Sequence, residues 1–331
     1  MIELIPEKGR FYKANLHCHT NISDGKDTPE AVKAFYKAHG YSAVCFTDHE
    51  VLIDQSALCD GEFIALHGYE VAVKQNMNAH TGWFMPVYHF NMIAKDPKNL
   101  KMPRFFRDNP SYPGNSRKWM ERCARYDETI DSTCYDKAWL NDYLGAVADA
   151  GFLITYNHPE WSLQNSNDYL GLKHLHAVEV INGSCIPYMD CTGIHFQQML
   201  RSGMRVVPVA GDDNHSVEDA LQAWTMIKAE ALSYEALMDA FEKGHCYASE
   251  GPEILSLPME GGKIRVKTSE AVNIVLRGEG RYADLARADG APLTCAEFAY
   301  VPEKIGAFFR IEVRDAAGNR AYSNAYFTDS L

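Results

Sequence analysis

Two histidines separated by a single residue, His17 and His19, are the first side chains whose spacing suggests chemistry. In a β-strand, residues i and i+2 face the same way, so these two imidazoles share a face and can chelate one divalent ion. Leu16 and Cys18 then face the other side, where they can pack under a helix. Taken alone, the pair is weak evidence for a metal site.

Other potential metal ligands follow along the chain, most of them at the end of a predicted strand. They are Asp24, His49, Glu70, His89, His158, Asp213 and His215. Parallel α/β barrels assemble their sites at the carboxyl ends of the strands, so these groups are expected to converge. Six imidazoles and three carboxylates at one mouth would repel one another or stay idle without metal, whereas Zn²⁺, Mn²⁺ and Fe²⁺ accept mixed nitrogen and oxygen ligands. The sequence therefore predicts a metal centre.

The elements that must position these groups alternate between strand and helix patterns. Thr28 and Pro29 predict a helix start, and Gly40 predicts its end. Predicted strands are KANLHCHT, SAVCFTDH, EFIALHGYEVAV, VYHFNMIA, GFLITYNHP, AVEVIN, RVVPVAGDDN and AWTMIKAE. Helical patterns occur at AWLNDYLGAVADAG and IHFQQMLRSG. This alternation predicts a parallel α/β architecture, and the number of units suits a barrel.

The pattern changes near residue 250, where short β-like runs and glycine-rich turns replace the helices. Asp-Ala-Ala-Gly-Asn at 315–319 predicts a hairpin turn. We therefore predict two domains, an α/β hydrolase barrel over residues 1–249 and a small β-sandwich-like domain over 250–331. The barrel would carry a basic insertion at about 95–136.

Composition restricts the class of protein. The sequence has 331 residues, 46% of them hydrophobic and 23% charged, which is typical of a globular chain. No apolar run approaches the ~18 to 20 residues of a membrane span. No signal-peptide pattern is present, and the nine cysteines form no CxxC pair, so a cytoplasmic protein without membrane association is expected.

The net charge of -12 argues against nucleic acid as an obligatory partner, short oligonucleotides excepted. The insertion is a local exception to this acidity. Residues 95–125 contain only three acids but nine basic residues. The basic residues are Lys95, Lys98, Lys101, Arg104, Arg107, Arg117, Lys118, Arg122 and Arg125. A solvated loop without a role and a lid that attracts an anionic substrate both account for it.

Taken together, these motifs resemble the PHP family (polymerase and histidinol phosphatase), metal-dependent phosphoesterases on a distorted (β/α)7 barrel. The matching segments span residues ~15 to 216 and are HCHTNISDG, TDH, GYE, His89, NHP and GDDNH. The segment from GHCYASEGPEI onward is similar to the small β-domain of some members. The resemblance implies this fold, this activity and a site with three divalent ions, Zn, Mn or Fe.

The resemblance also implies a ligand set for each ion. The first ion would take His17, His19, Glu70 and Asp213, the second Glu70 as a bridge with His89 and His158, and the third Asp24, His49 and His215. Some members carry histidine at the place of Asp24. His80 competes with His89, and Asp212 competes with Asp213. Asp48 and Asp212 are candidates to orient an imidazole, and Asn182 is either a site residue or a turn former.

The function that follows is hydrolysis of a phosphate ester of a small metabolite or nucleotide. A hydroxide bridging the first two metals would attack phosphorus, with Glu70, Asp213 and His215 as the catalytic residues. Two alternatives are a metallohydrolase of non-phosphate esters or amides, and a metal-stabilised binding or regulatory module. The expected partner is a small anionic phosphorylated substrate. The sequence does not specify the oligomeric state.

Overall fold

A computed structural model describes residues 1–75, 85–104, 113–123, 125–126, 134–186, 189 and 193–331. Its helices are α1 (Pro29–Ala38), α2 (Ser116–Cys123), α3 (Lys137–Asp149), α4 (Ser166–Tyr169), α5 (Ile194–Arg201), α6 (Tyr234–Glu242) and α7 (Pro302–Ile305). Its first twelve strands are β1 (Ile2–Glu3), β2 (Arg10–Asn15), β3 (Ala43–Phe46), β4 (Ile64–Lys74), β5 (Val87–Ala94), β6 (Lys101–Met102), β7 (Arg125–Tyr126), β8 (Phe152–Tyr156), β9 (Ala177–Asn182), β10 (Val207–Gly211), β11 (Trp224–Ala229) and β12 (Cys246–Ser249). The later strands are β13 (Ile254–Ser256), β14 (Pro258–Glu260), β15 (Lys263–Ala271), β16 (Asn273–Gly278), β17 (Ala283–Arg287), β18 (Leu293–Ala299), β19 (Phe308–Arg314), β20 (Arg320–Ser323) and β21 (Tyr326–Phe327).

The helix predicted after Thr28 is confirmed. The Thr28 hydroxyl accepts a hydrogen bond from the backbone N–H of Ala31, and Pro29 occupies the first turn. Gly40 follows the helix with φ +79°, a left-handed conformation that glycine adopts without strain. Val32 and Tyr36 are buried and pack against β3, so α1 covers one side of the sheet below the predicted metal ligands.

The large sheet is mixed. Its order is β10-β9-β8-β5-β4-β3-β2-β11-β12-β20-β19-β16-β17, and β21 pairs with β19. Parallel pairs are β2–β3, β3–β4, β8–β9 and β9–β10. β5 runs antiparallel to both of its neighbours, and β11 runs antiparallel to β2. The α/β class is therefore confirmed, but the predicted parallel arrangement holds for only part of the sheet. Parallel neighbours need a long, usually helical, crossover, and the sequence of residues 75–86 between β4 and β5, QNMNAHTGWFMP, has no helical pattern.

Residues from 254 onward contribute two facing layers. One is a five-stranded sheet, β1-β14-β15-β13 with β18, and the other is the far end of the large sheet. Ile264 and Val266 from the first layer share a core with Leu276, Ile311 and Val313 from the second. The predicted hairpin at 315–319 is confirmed, since it joins the antiparallel pair β19–β20. Residues 2–3 pair with 258–259 in β14, although the partners lie 255 to 257 positions apart in the chain.

A buried arginine connects this β-rich region to α5. Arg310, on β19, is 1% exposed, and its Nε donates to Gln197 Oε1 at 2.9 Å. Gln197 Nε2 donates in turn to the carbonyl oxygen of Gly278 at 3.2 Å, and Arg201 Nε donates to the carbonyl oxygen of Glu279 at 2.7 Å. Because these bonds come from both α5 and the β-rich strands, they fix the helix against the second layer. In the described part of the chain, no helix is long and apolar enough to cross a membrane.

Candidate metal centre

The two histidine-containing motifs at the sheet edge are joined through their backbones. The Asp213 N–H donates to the His17 carbonyl at 2.9 Å, and the His19 N–H donates to the Asn214 carbonyl at 3.1 Å. Cys18 forms a parallel bridge with Asn214, so the segments after β2 and β10 lie side by side. The side of Cys18 away from the site packs with Val32 and Tyr36 of α1, as the i, i+2 argument predicts.

His17, His19, Glu70 and Asp213 form the first group of potential ligands. The Nε2 atoms of His17 and His19 lie 3.2 Å apart, and Asp213 Oδ1 lies 3.2 and 3.0 Å from them. Glu70 Oε1 is 3.4 Å from His17 Nε2. Donor atoms about 2.1 Å from a cation lie about 3.0 Å apart in octahedral and about 3.4 Å apart in tetrahedral geometry. The observed spacings fall in this range, so the group fits one cation.

Glu70, His89 and His158 form the second group. Glu70 Oε1 lies 3.0 Å from His89 Nδ1 and 3.3 Å from His158 Nε2. His158 Nε2 is also 3.8 Å from Asp213 Oδ2, which connects this group to the first. His158 Nδ1 lies 3.1 Å from the Ser162 hydroxyl, and this contact leaves Nε2 facing the carboxylates. The second group is therefore continuous with the first.

Asp24, His49 and His215 form the third group, with His19 at its edge. The carboxylate of Asp24 lies 3.6 Å from His49 Nε2 and 3.5 Å from His215 Nε2. The Nδ1–H of His215 can donate to the Asp213 carbonyl at 3.1 Å, which leaves its Nε2 free to accept a cation. The side chains of His215 and Asp24 are 40% and 30% exposed, against 0% for His17. The third group therefore faces the solvent.

Glu70 is the residue common to the groups. It lies in the middle of β4, which continues to Lys74 rather than ending after Glu70. Its Oε1 faces His89 and His158, and its Oε2 lies 3.3 Å from His19 Nε2 and 3.1 Å from His49 Nδ1. Oε2 is buried and makes no hydrogen bond of good geometry within the described residues. A buried carboxylate oxygen without a well-aligned hydrogen bond is costly, and a cation would supply a direct partner.

The charges of the groups also favour a cation. Burial opposes ionisation of Glu70, yet the surrounding imidazoles, His89 first, outweigh it and hold the pKa of that carboxyl well below its usual range. Burial would likewise lower the pKa of His19, but its bonds to Asp213 and Glu70 raise it to about 10. Burial lowers the pKa of His49 to about 3. Carboxylates thus stay ionised beside imidazoles of mixed charge, and a metal ion can replace the protons of such a site.

Glu179, on β9, is a site residue that the sequence reasoning missed. Its Oε1 lies 2.8 Å from His17 Nδ1, and its Oε2 accepts from the backbone N–H of His158 and the amide of Asn182, each at 3.0 Å. Metal-binding histidines commonly donate their second ring N–H to such a carboxylate, which fixes the tautomer. Asn182 also donates to Asp213 Oδ2 at 3.2 Å, so it is a site residue as well as a turn residue. The available signal was an acid within the apolar run AVEVIN.

Asp48 and Asp212, expected as groups that orient an imidazole, bond elsewhere. Asp48 accepts from the backbone N–H groups of Thr20 and Ser23, at 2.8 and 3.1 Å, and so holds the loop that leads to Asp24. Asp212 accepts from the Tyr36 hydroxyl at 2.6 Å and from the backbone of residues 221–223. The structure therefore brings Asp213, not Asp212, into the groups.

The remaining described histidines lie outside these groups. His67 is a buried residue of β4, and its Nδ1 lies 3.1 Å from the Pro97 carbonyl. His39 is exposed at the end of α1. His195 Nδ1 contacts the Tyr169 hydroxyl at 3.1 Å. His80, the competitor of His89, lies outside the described residues, as do Arg107 and parts of the insertion.

The described part of the insertion contacts the Asp24 loop directly. The Asn115 N–H donates to the Ser23 carbonyl at 2.6 Å, and its side-chain amide donates to the Asn21 carbonyl at 3.0 Å. Gly114 has φ +55°, and a Cβ there would lie 2.1 Å from the Ser23 carbonyl oxygen. This position requires glycine both for its backbone conformation and for the close approach. The insertion therefore abuts the third group of ligands.

Two of the potential ligands have strained backbones. His158 has φ +22° and Asp213 has φ +51°, conformations that non-glycine residues seldom adopt. Such strain costs of order 1–3 kcal/mol per residue and is concentrated at functional sites. Here it turns the two side chains towards Glu70, which supports a functional role for the groups.

Residues 15–160 match the family model of the PHP domain. This match confirms the resemblance to the PHP family that the motifs indicate. The match includes seven of the nine predicted ligands, all except Asp213 and His215. No curated protein matches the chain.

Three solved structures are similar to this chain at low identity. A two-domain protein containing a predicted PHP-like metal-dependent phosphoesterase, from Bacteroides vulgatus, is 14% identical with a TM-score of 0.46, covering 98% of each chain. A proposed metal-dependent phosphoesterase from Bifidobacterium adolescentis is 15% identical with a TM-score of 0.37, covering 64% of this chain and 89% of its own. An amidohydrolase from Chromobacterium violaceum, with bound sulfate and no metal, is 19% identical with a TM-score of 0.40, covering 61% and 87%. Similarities at this level say nothing about activity.

Proposed function

We propose that this chain is a metal-dependent phosphoesterase that hydrolyses a phosphate ester of a small metabolite or nucleotide. The observation that carries the proposal is the convergence of nine ligand residues at spacings that fit metal coordination. These residues fit three cations, Zn²⁺, Mn²⁺ or Fe²⁺, in the sets His17, His19, Glu70, Asp213; Glu70, His89, His158; and Asp24, His49, His215. Divalent cations at such sites neutralise phosphate oxygens and acidify a coordinated water.

The chain's own residues divide the work. Glu70 uses both carboxylate oxygens, one towards each side of the site, and so sets the spacing between groups. Asp213 does the same between His17 and His158. His215, half-exposed beside Asp24, is placed to meet the substrate first. We assign these three as the catalytic residues, and we assign Glu179 to positioning because it fixes the His17 ring.

The same proposal extends to the architecture and location of the protein. The joining of the segments after β2 and β10 supports a distorted (β/α)7 barrel over residues 1–249. Residues 250–331 would then form a separate β-sandwich-like domain, with residues 2–3 added to its sheet. Cys18, Cys45 and Cys246 are buried free thiols, which supports a reducing compartment such as the cytoplasm.

A substrate panel and one substitution test the activity. With added Mn²⁺, the purified protein should hydrolyse a phosphomonoester or a phosphodiester faster than an acyl ester or an amide. Glu70→Gln keeps the volume of the side chain but removes the charge between the groups, so kcat should fall by orders of magnitude. Circular dichroism checks that the variant folds. Acyl-ester turnover without phosphate-ester turnover would favour the non-phosphate hydrolase, and near-normal turnover in Glu70→Gln would refute the assignment of Glu70.

A further inference from the structure

A narrow, half-open pocket adjoins the second group of ligands. Its polar end is formed by His158, Glu179 and Asn182, which belong to the site. Its other walls include Val180, Cys185, Phe196, Trp161 and His195, with Glu160 as a further polar group. Because the pocket opens beside the metal groups and its remaining walls are mostly apolar, a substrate whose phosphate binds at the site would place its substituent along the mouth of the pocket.

Trp161 stands between the ligands and the pocket. Its ring centroid lies 5.0 Å from that of His158 and 5.4 Å from that of His89. The side chain is 37% exposed, an unfavourable position for an indole. Leu163, 48% exposed, lies in the same turn, and Ile194, 54% exposed, precedes His195. Exposed apolar groups therefore lie both in the turn that carries Trp161 and at the start of α5, which border the pocket.

The turn that carries Trp161 is fixed, not free to collapse. Its two ends, His158 and Leu163, both have positive φ, +22° and +57°. The Ser162 N–H donates to the His158 carbonyl at 3.1 Å, and the Leu163 N–H donates to the Glu160 carbonyl at 3.0 Å. A turn held in a costly conformation that presents an indole beside the ligands is typical of a binding element.

His195 supplies the polar group on the opposite wall. Its Nδ1 contacts the Tyr169 hydroxyl, and its Nε2 has no hydrogen-bond partner among the residues that the structure describes. The helix that carries it is fixed from behind through Gln197 and Arg310. The wall is therefore rigid, with one ring nitrogen available to a ligand.

We propose that the ester substituent of the substrate lies along the mouth of this pocket, and that it is a planar aromatic group packed against the exposed side of Trp161. The proposal rests on the proposed function, since the phosphate must bind at the adjacent groups. Trp161 is then a specificity-determining residue, and His195 is a polar contact for a heteroatom of the ring. The exposed side of an indole packs better against a flat ring than against a branched or saturated group.

The test compares esters that differ in the substituent but have similar alcohols as leaving groups: benzyl, cyclohexylmethyl and ethyl phosphate, with Mn²⁺. The wild-type protein should show a higher kcat/KM for benzyl phosphate than for the other two. Trp161→Ala should reduce the benzyl-to-ethyl ratio by about 3- to 10-fold, the range of an aromatic pair, and Trp161→Phe should restore most of it. Trp139→Ala, on α3 and outside the pocket lining, serves as the aromatic control and should leave the ratio unchanged.

A binding measurement separates this proposal from the proposed function. Calorimetry with benzylphosphonate and ethylphosphonate requires no turnover. A preference for benzylphosphonate that Trp161→Ala removes would support the pocket even if no ester is hydrolysed, in which case only the phosphoesterase activity fails. If all three esters are hydrolysed and the benzyl-to-ethyl ratio of kcat/KM is the same in the wild type and in Trp161→Ala, the proposed role of the pocket is refuted. The phosphoesterase activity would still be supported. Equal binding of the two phosphonates by the wild type would also overturn it.

Discussion

Replacing Glu179 by glutamine tests whether the buried carboxylate holds the His17 ring for metal binding. The side-chain volume is unchanged, but the charge opposite His17 Nδ1, 2.8 Å away, is lost. The amide also cannot accept at both ends, so either the His17 ring or the His158 N–H loses its acceptor. The ring of His17 is then less strictly oriented, and its Nε2 is a weaker ligand.

The size of the effect follows from these contacts. Loss of a carboxylate that orients a metal-binding histidine costs about 10- to 100-fold in metal affinity, equivalent to about 1.4 to 2.7 kcal/mol. Glu179→Ala should cost more, because it leaves both the His158 N–H and the Asn182 amide without their acceptor. A buried unsatisfied group costs about 1 to 3 kcal/mol of folding stability. The glutamine variant should thus separate metal binding from folding better than the alanine variant.

Competition with a fluorescent chelator measures the affinity for Zn²⁺ or Mn²⁺, and urea unfolding of the metal-free protein measures stability. Glu230→Gln is the matched control, since it removes the same charge from an exposed position and should change neither quantity. Wild-type metal affinity in a folded Glu179→Gln protein would refute the role given to this carboxylate.

Three further outcomes are expected. Gly114→Ala, whose Cβ would meet the Ser23 carbonyl oxygen, should displace the insertion from the Asp24 loop and lower the metal content measured by elemental analysis, and unchanged content would contradict this. Burial raises the pKa of Glu50 to about 8, so its contribution to stability is complete below about pH 4.5 and is lost as the pH rises towards 8. In metal-free protein, urea unfolding should show a free energy of unfolding that falls with pH by up to about 1.4 kcal/mol less per pH unit in Glu50→Gln than in the wild type. The same pH dependence in both proteins would contradict this. Chelation should lower the melting temperature in calorimetry, because metal at 100 times its Kd stabilises by about 2.7 kcal/mol, and an unchanged temperature would argue against a metal site.

The nine potential ligands could be found from the sequence because each lies in or just after a predicted strand or in a short local motif. Two pairs of these residues are two positions apart in the chain, His17 with His19 and Asp213 with His215. In an extended segment this spacing points both side chains of a pair the same way. The helix start at Thr28 was predictable for the same reason, since capping depends on neighbours in the chain.

Features that depend on distant residues were not predictable in this way. The pairing of residues 2–3 with β14 has no local signal, and the antiparallel orientation of β5 depends on a connection that only the assembled sheet constrains. Asp48 and Asp212 were candidates to orient an imidazole because each is next to a potential ligand in the sequence. Neighbouring side chains of an extended segment point to opposite sides, however, and both carboxylates bond to other partners. His195 had no informative spacing, because its place beside Trp161 arises from the packing of α5.

The bonds from Arg310 and Gln197 have a consequence for how such a protein can change over time. The wall of the pocket belongs to one part of the chain, but its position is set by strands of the other part. If the pocket binds the substituent as proposed, substitutions in the β-rich region would adjust which substituents it accepts without altering any of the proposed metal ligands. For the same reason, an exchange of the β-rich region between related chains would then transfer part of the substrate preference with it.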